Sequence, residues 1–130
     1  MIKYLKIVFI ITDVGFVLYW IVSGFKLIPE MYLFKDYSNP LTVAWNWSFF
    51  PLDILISITG FSSLYLNKVG NILWKQIALV SLVLTFCSGL QAISFWWIRL
   101  DFDISWWLPN LYLLIYPLIF IPYLLREEMV

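Results

Sequence analysis

Four apolar runs fill most of this 130-residue chain, and each is long enough to carry a helix across a bilayer. A hydrocarbon core is about 30 Å thick and needs roughly 20 residues of helix to cross it. Within it every backbone N–H and C=O must be satisfied internally, and four segments cannot close a β-barrel, so each run is read as an α-helix. The expected spans are 4–27, 45–66, 74–98 and 105–125, joined by a long connection over 28–44 and short ones at 67–73 and 99–104. They predict an all-α integral membrane protein, one up-down-up-down four-transmembrane-helix bundle over 1–130. Residues are 63% hydrophobic and only 12% charged, against about 25% charged in soluble domains. The first run carries Asp13, continues through Trp20 to Phe25 and has no small-residue cleavage site, so it is read as a retained span.

Eight Lys and Arg balance eight Asp and Glu. There is no basic field for nucleic acid, and no such partner is expected. The chain has no His and a single Cys87, which removes the usual metal ligands and the commonest general base, so no metal, no cofactor and no enzymatic activity are expected. Lys3, Lys6, Lys68, Lys75 and Arg126 fall on the side of the termini, against Lys26, Lys35 and Arg99 opposite. This bias places both termini in the cytoplasm of a multi-pass cell-membrane protein, a topology that suits a bacterial inner membrane. Local ion pairing is expected between Arg99 and its neighbours Asp101 and Asp103.

Asp13 and Asp53 lie inside the spans, where a charged group costs at least about 2.5 to 3.5 kcal/mol and so usually faces a bundle interior or a cavity. At 1.5 Å per residue, Asp53, Gln91 and Asn110 fall roughly 5 to 7 Å outside the midplane, with Asn46 higher and Asp13 roughly 5 Å below. Asn46, Asp53, Ser57 and Gly60 share one helical face. Pro51 cannot donate to the Trp47 carbonyl and so frees an acceptor near Asp53. In the last span Pro109, Pro117 and Pro122 have Tyr112, Tyr116 and Tyr123 between or beyond them, the pattern of a kinked helix that either opens a cavity or is a simple kink without function. Ser81, Thr85, Ser88, Gly89 and Ala92 form a small-residue stripe read as helix packing. Most Trp residues crowd the outer boundary, either as an aromatic belt or, for some, as the mouth of a pocket. The candidate ligand-binding set is Asp53, Gln91, Asn110, Asn46, Trp45, Trp20, Ser57, Tyr112 and Tyr116, with Asp13 a separate proton site.

The stretch FKDYSNPLTVAWNWSFFPLDILISITG, Phe34 to Gly60, resembles the second-helix entry of the EXPERA membrane domain, the group of sigma-2 receptor and emopamil-binding proteins. Asp36 and Pro40 in the loop, Trp45, the aromatic-rich start Ser48, Phe49 and Phe50, and Asp53 carry the resemblance; Asn110 to Arg126 is similar to that family's Pro-interrupted last helix. The resemblance implies that Asp53 contacts an amine or sterol-like ligand within the membrane. The isomerases of that group use a His that this chain lacks, and Asp13 does not align with their first-helix acid. The whole chain more closely resembles small uncharacterised bacterial membrane proteins of the YvaD type, which implies a fold and no activity.

Four functions follow, in descending order. The first is a membrane protein binding a lipophilic or amphiphilic small molecule around Asp53. The second is a proton-coupled exporter of lipophilic cations on Asp13, since an acid in the first of four short spans resembles the small multidrug resistance transporters. The third is an assembly subunit without ligand, and an isomerase or hydrolase ranks last. Membrane lipids are the expected surroundings, and a homodimer is left open.

Overall fold

The computed structural model describes residues 2–29 and 37–129, and these form four α-helices. They are α1 (Ile2–Gly24), α2 (Pro40–Lys68), α3 (Trp74–Ile98) and α4 (Ile104–Met129). All four are long and apolar enough to cross a membrane, the organisation of a multi-pass membrane protein. Phe34, Lys35 and Asp36, which entered the orientation and the EXPERA resemblance, lie outside the described residues.

Helix ends follow local chemistry. Asn39 caps α2, its side chain accepting from the Leu41 N–H at 2.9 Å, and Pro40 occupies the first helical turn. Proline is favoured there because its missing N–H would have no intrahelical partner anyway. α2 therefore begins five residues before the expected Trp45. Gly70, at φ 78°, ends α2 through paired bonds from Gly70 N–H to Asn67 and Asn71 N–H to Leu66, the left-handed turn glycine adopts without steric cost. Asp103 caps α4 by accepting from Ser105 N–H at 2.9 Å. α4 continues unbroken through Pro109, Pro117 and Pro122.

Contacts between helix ends establish the alternating course. Late α1 meets early α2 where Trp20 packs on Trp47 and Phe50. Early α2 meets late α3 where Trp45 stacks on Phe95, ring centres 3.9 Å apart. Close backbone packing runs from α1 to α2, α2 to α3 and α3 to α4; at the α1–α4 seam it is at most sparse. Toward the termini, Leu5 and Phe9 close on Ala78, Leu82, Leu113, Tyr116, Phe120 and Leu124 in one apolar core.

The burial pattern inverts that of a water-soluble bundle. Large apolar side chains such as Ile11, Leu18, Leu55, Val83 and Ile119 face outward, while Thr12, Ser57, Ser63, Ser81, Thr85 and Ser88 are buried. Small hydroxyl residues let helices approach and satisfy themselves on nearby carbonyls. Ser81 donates to Ile56 O across α2–α3, Ser57 to Asp13 O across α1–α2, and Ser63 to Trp74 O.

Gly89 lets the backbones of α3 and α4 come close together. A β-carbon there would stand 2.7 Å from Leu114 N and 2.9 Å from Asn110 O, both rigid backbone. Gly89→Ala is expected to push α4 off α3 and destabilise by about 1 to 3 kcal/mol, read as a lower melting temperature in detergent. Gly15→Ala, whose β-carbon would meet nothing within 4 Å, is expected to be neutral or to stabilise by up to about 1 kcal/mol through helix propensity.

Candidate functional site

Asp53 is buried near the middle of α2 and is held from two other helices. Trp20 Nε1 of α1 donates to Oδ2 at 3.0 Å, and Ser88 Oγ of α3 donates to Oδ1 at 3.3 Å. Both oxygens thus have a donor, as burial of a carboxyl group requires. Trp20 is itself fixed, its ring centre 4.9 Å from Trp47 and 5.4 Å from Phe50.

Asp53 sits in the wall of a partly open cavity of ≈ 430 Å³ to which all four helices contribute. α1 supplies Ile11, Thr12, Gly15, Phe16, Tyr19 and Trp20; α2 supplies Trp45, Asn46, Phe49 and Asp53. α3 adds Ser88, Ala92 and Trp96, and α4 adds Ser105, Trp106, Pro109, Asn110, Tyr112 and Leu113. This is the size and make-up of a small-molecule site: mostly apolar and aromatic, with a few placed polar groups. Tyr19 Oη donates to Asn46 Oδ1 at 2.9 Å, leaving Asn46 Nδ2 without a partner among the described residues. Asn110 Nδ2 donates to Trp106 O at 2.7 Å. Pro109 has no N–H for the Ser105 carbonyl, so this helix wall carries a backbone acceptor released from the helical ladder.

Six of the nine residues expected to bind a ligand line this cavity: Asp53, Asn46, Asn110, Trp45, Trp20 and Tyr112. Three do not. Gln91 is exposed on the outside of α3; its depth matched Asp53, but rotation about the helix axis turns it away. Ser57 is spent on Asp13 O at 3.1 Å, and Tyr116 is buried in the apolar core below. Pro51 is likewise exposed, and the donors to Asp53 come from Trp20 and Ser88.

The Trp residues divide between the two readings offered for them. Trp20, Trp45, Trp96 and Trp106 line the cavity, whereas Trp47 and Trp97 are exposed and Trp107 packs on Phe102 in the α3–α4 turn, donating to Asp101 O. Arg99 reaches Thr42 Oγ1 at 3.3 Å and covers Phe95 and Trp96 at the same end. Ser88, which the sequence places in the packing stripe, also lines the cavity, as do Thr12 and Tyr19, which no sequence motif marks. Ser88 continues the Ser81–Thr85 hydroxyl face toward the Asp53 level, which is the signal that marks it.

Asp13 occupies a different environment. It is 1% exposed, lies against Gly60 and has no partner for Oδ2 among the described residues. It is absent from the cavity lining.

Residues 5–130 match the model of a family of unknown function, DUF5360. The chain belongs to that family. It is similar to the uncharacterized protein YvaD of Bacillus subtilis (strain 168), 62% identical over 125 residues that cover 96% of this chain and 94% of the relative. No solved structure matches the chain.

Trp20→Phe strips Asp53 Oδ2 of its donor and is expected to destabilise by about 1 to 3 kcal/mol. In a double-mutant cycle with Asp53→Ala the two effects are expected to fall short of additive by about 0.5 to 3 kcal/mol, because both remove one interaction. A cycle of Gly60→Ala with Asp13→Ala is expected to couple as well: a β-carbon at Gly60 would overlap the Asp13 carboxyl, so Gly60→Ala costs stability only while Asp13 is present. Melting temperatures of the single and double variants in one detergent measure both cycles.

Proposed function

We propose that this protein binds a lipophilic or amphiphilic small molecule within the membrane, in the cavity walled by Asp53. The supporting observation is the placement of one buried carboxylate, already oriented by Trp20 and Ser88, in a partly open aromatic cavity. In such a cavity Asp53 pairs with an amine or accepts from a hydroxyl. Trp20, Trp45, Trp96 and Trp106 supply contact area and, for a cation, ring faces that attract it. Asn46 Nδ2 and Asn110 orient the polar end of the ligand. The acid carried by the EXPERA resemblance is the same Asp53, which favours an amine or sterol-like class. The termini are assigned to the cytoplasm by the Lys and Arg bias, which puts the cavity toward the outer leaflet of a multi-pass cell-membrane protein. No catalytic step is assigned to these residues.

A second reading is favoured by Asp13 alone, a buried acid whose Oδ2 has no partner. As a proton site it would make the protein an exporter of lipophilic cations driven by a pH gradient. Flux of a lipophilic cation into proteoliposomes that is lost in Asp13→Asn supports this; absence of flux removes it.

Thermal-shift screening of the purified protein with sterols, lipids and amphiphilic amines tests the first reading. A ligand present at about 100 times its Kd is expected to add roughly 2.7 kcal/mol of stability. Asp53→Asn keeps an acceptor for Trp20 but loses the charge, and is expected to abolish the shift for an amine. Gln91→Ala, outside the cavity, is expected to keep it. Equal shifts in wild type and Asp53→Asn for every compound would reject the assignment.

A further inference from the structure

The cavity reaches far along the helices. Ile11 lies more than half-way down α1, on the order of 20 Å from its end at Gly24, yet it lines the cavity and is 59% exposed. Gly15, one turn nearer that end, also lines it and is exposed, with open space where a side chain would stand. On the facing helix Ser105 and Pro109 combine cavity lining with exposure. Ile11 and Gly15 are both lining and exposed at mid-helix, so the cavity opens sideways along α1 on its α4 side, and not only at the loop end where Ser105 and Pro109 stand. The same seam has at most sparse close backbone packing, unlike the three pairs of consecutive helices.

The opening has a defined floor. Thr12 Oγ1 and Tyr112 Oη share a hydrogen bond of 3.0 Å across α1–α4, and beneath it Leu5 and Phe9 close onto Leu113, Tyr116 and Phe120. Above the floor, the polar groups sit on the far wall: Asp53 and Ser88 on α2 and α3, with Asn46 beside Tyr19. Between the floor and the loop end the seam presents Ile11, Gly15 and Phe16 of α1 opposite Pro109, with Ser105 and Asn110 bringing polar groups to its α4 side.

We propose that the α1–α4 seam is a lateral portal through which a single-chain amphiphile enters from the bilayer, its hydrogen-bond-donating head reaching Asp53 and its chain lying in the gap. This rests on the assignment of the cavity as a ligand site and adds the route and the shape of the ligand. A cavity of ≈ 430 Å³ lies toward the small end of the roughly 300 to 1,000 Å³ range of ligand pockets, too little to enclose a two-chain lipid. A side opening removes that limit for one chain, because its remainder stays in hydrocarbon. A head donating to Asp53 is either an amine or a hydroxyl, and the two are separated by experiment.

The test uses the full chain in phospholipid nanodiscs with two probes, stearylamine and stearyl alcohol, each carrying a mid-chain diazirine. Photolabelled peptides are mapped by mass spectrometry. Labelling is expected on the α1 and α4 segments around Ile11, Gly15 and Pro109, and is expected to be lost for at least one probe in Asp53→Asn. Gly15→Trp and Ser105→Trp fill the gap from opposite walls, and each is expected to reduce labelling about tenfold while the melting temperature without probe is kept. Labelling that depends on Asp53 but is unchanged in both Trp variants overturns the portal and leaves the cavity assignment standing. Labelling indifferent to Asp53 with both probes overturns the cavity assignment, and the portal with it.

Discussion

The Asp53 carboxylate joins three of the four helices, because its two oxygens take donors from α1 and α3 while its backbone belongs to α2. An acid at this depth is expensive in any surroundings that leave it unpaired, so the positions of Trp20 and Ser88 are constrained together. Trp20 must present its indole N–H inward, and Trp47 and Phe50 hold the ring in that pose. Ser88 must face α2, which sets the rotation of α3 and carries Ser81 and Thr85 to the interior with it. The cavity is the space left beside this junction.

Packing elsewhere uses the same economy of small polar groups. Hydroxyls of Ser57, Ser63 and Ser81 each reach a carbonyl on a neighbouring helix, and Gly89 and Gly60 remove side-chain bulk where α4 and Asp13 press closest. In hydrocarbon there is no gain in hiding Leu or Ile, so contact area and hydrogen bonds decide which face turns inward. This leaves α1 fastened mainly to α2, with its α4 side tied at the Thr12–Tyr112 bond and in the apolar core below. The looseness of one seam and the firmness of the others are consequences of where the small residues fall in the sequence.

Asp13 and Asp53 illustrate how two similar residues diverge. Both are buried acids in apolar helices, but one is supplied with donors and borders a cavity, and the other is pressed against a glycine. Placement in the family of unknown function DUF5360 and the similarity to YvaD describe the whole chain. The chemical distinction between the acids is local and lies in the donors and space around each carboxyl group.

The sequence by itself determined the four helices, their order and the unusual status of Asp13 and Asp53, because length, hydropathy and charge act along the chain. Asn39 and Pro40 also announced the start of α2, and apolar residues before Trp45 obscured that signal. Depth along each helix was legible too: Asp53, Asn110 and Asn46 do share one cavity. What depth cannot supply is rotation. Gln91 matched Asp53 in depth and faces outward, and Ser88, a few residues earlier on the same helix, takes the inward position. The inward side of α3 is marked in the sequence only by its small-residue stripe, and the packing of Gly89 on α4 and Ser81 on α2 turns that stripe, with Ser88, inward and Gln91 out.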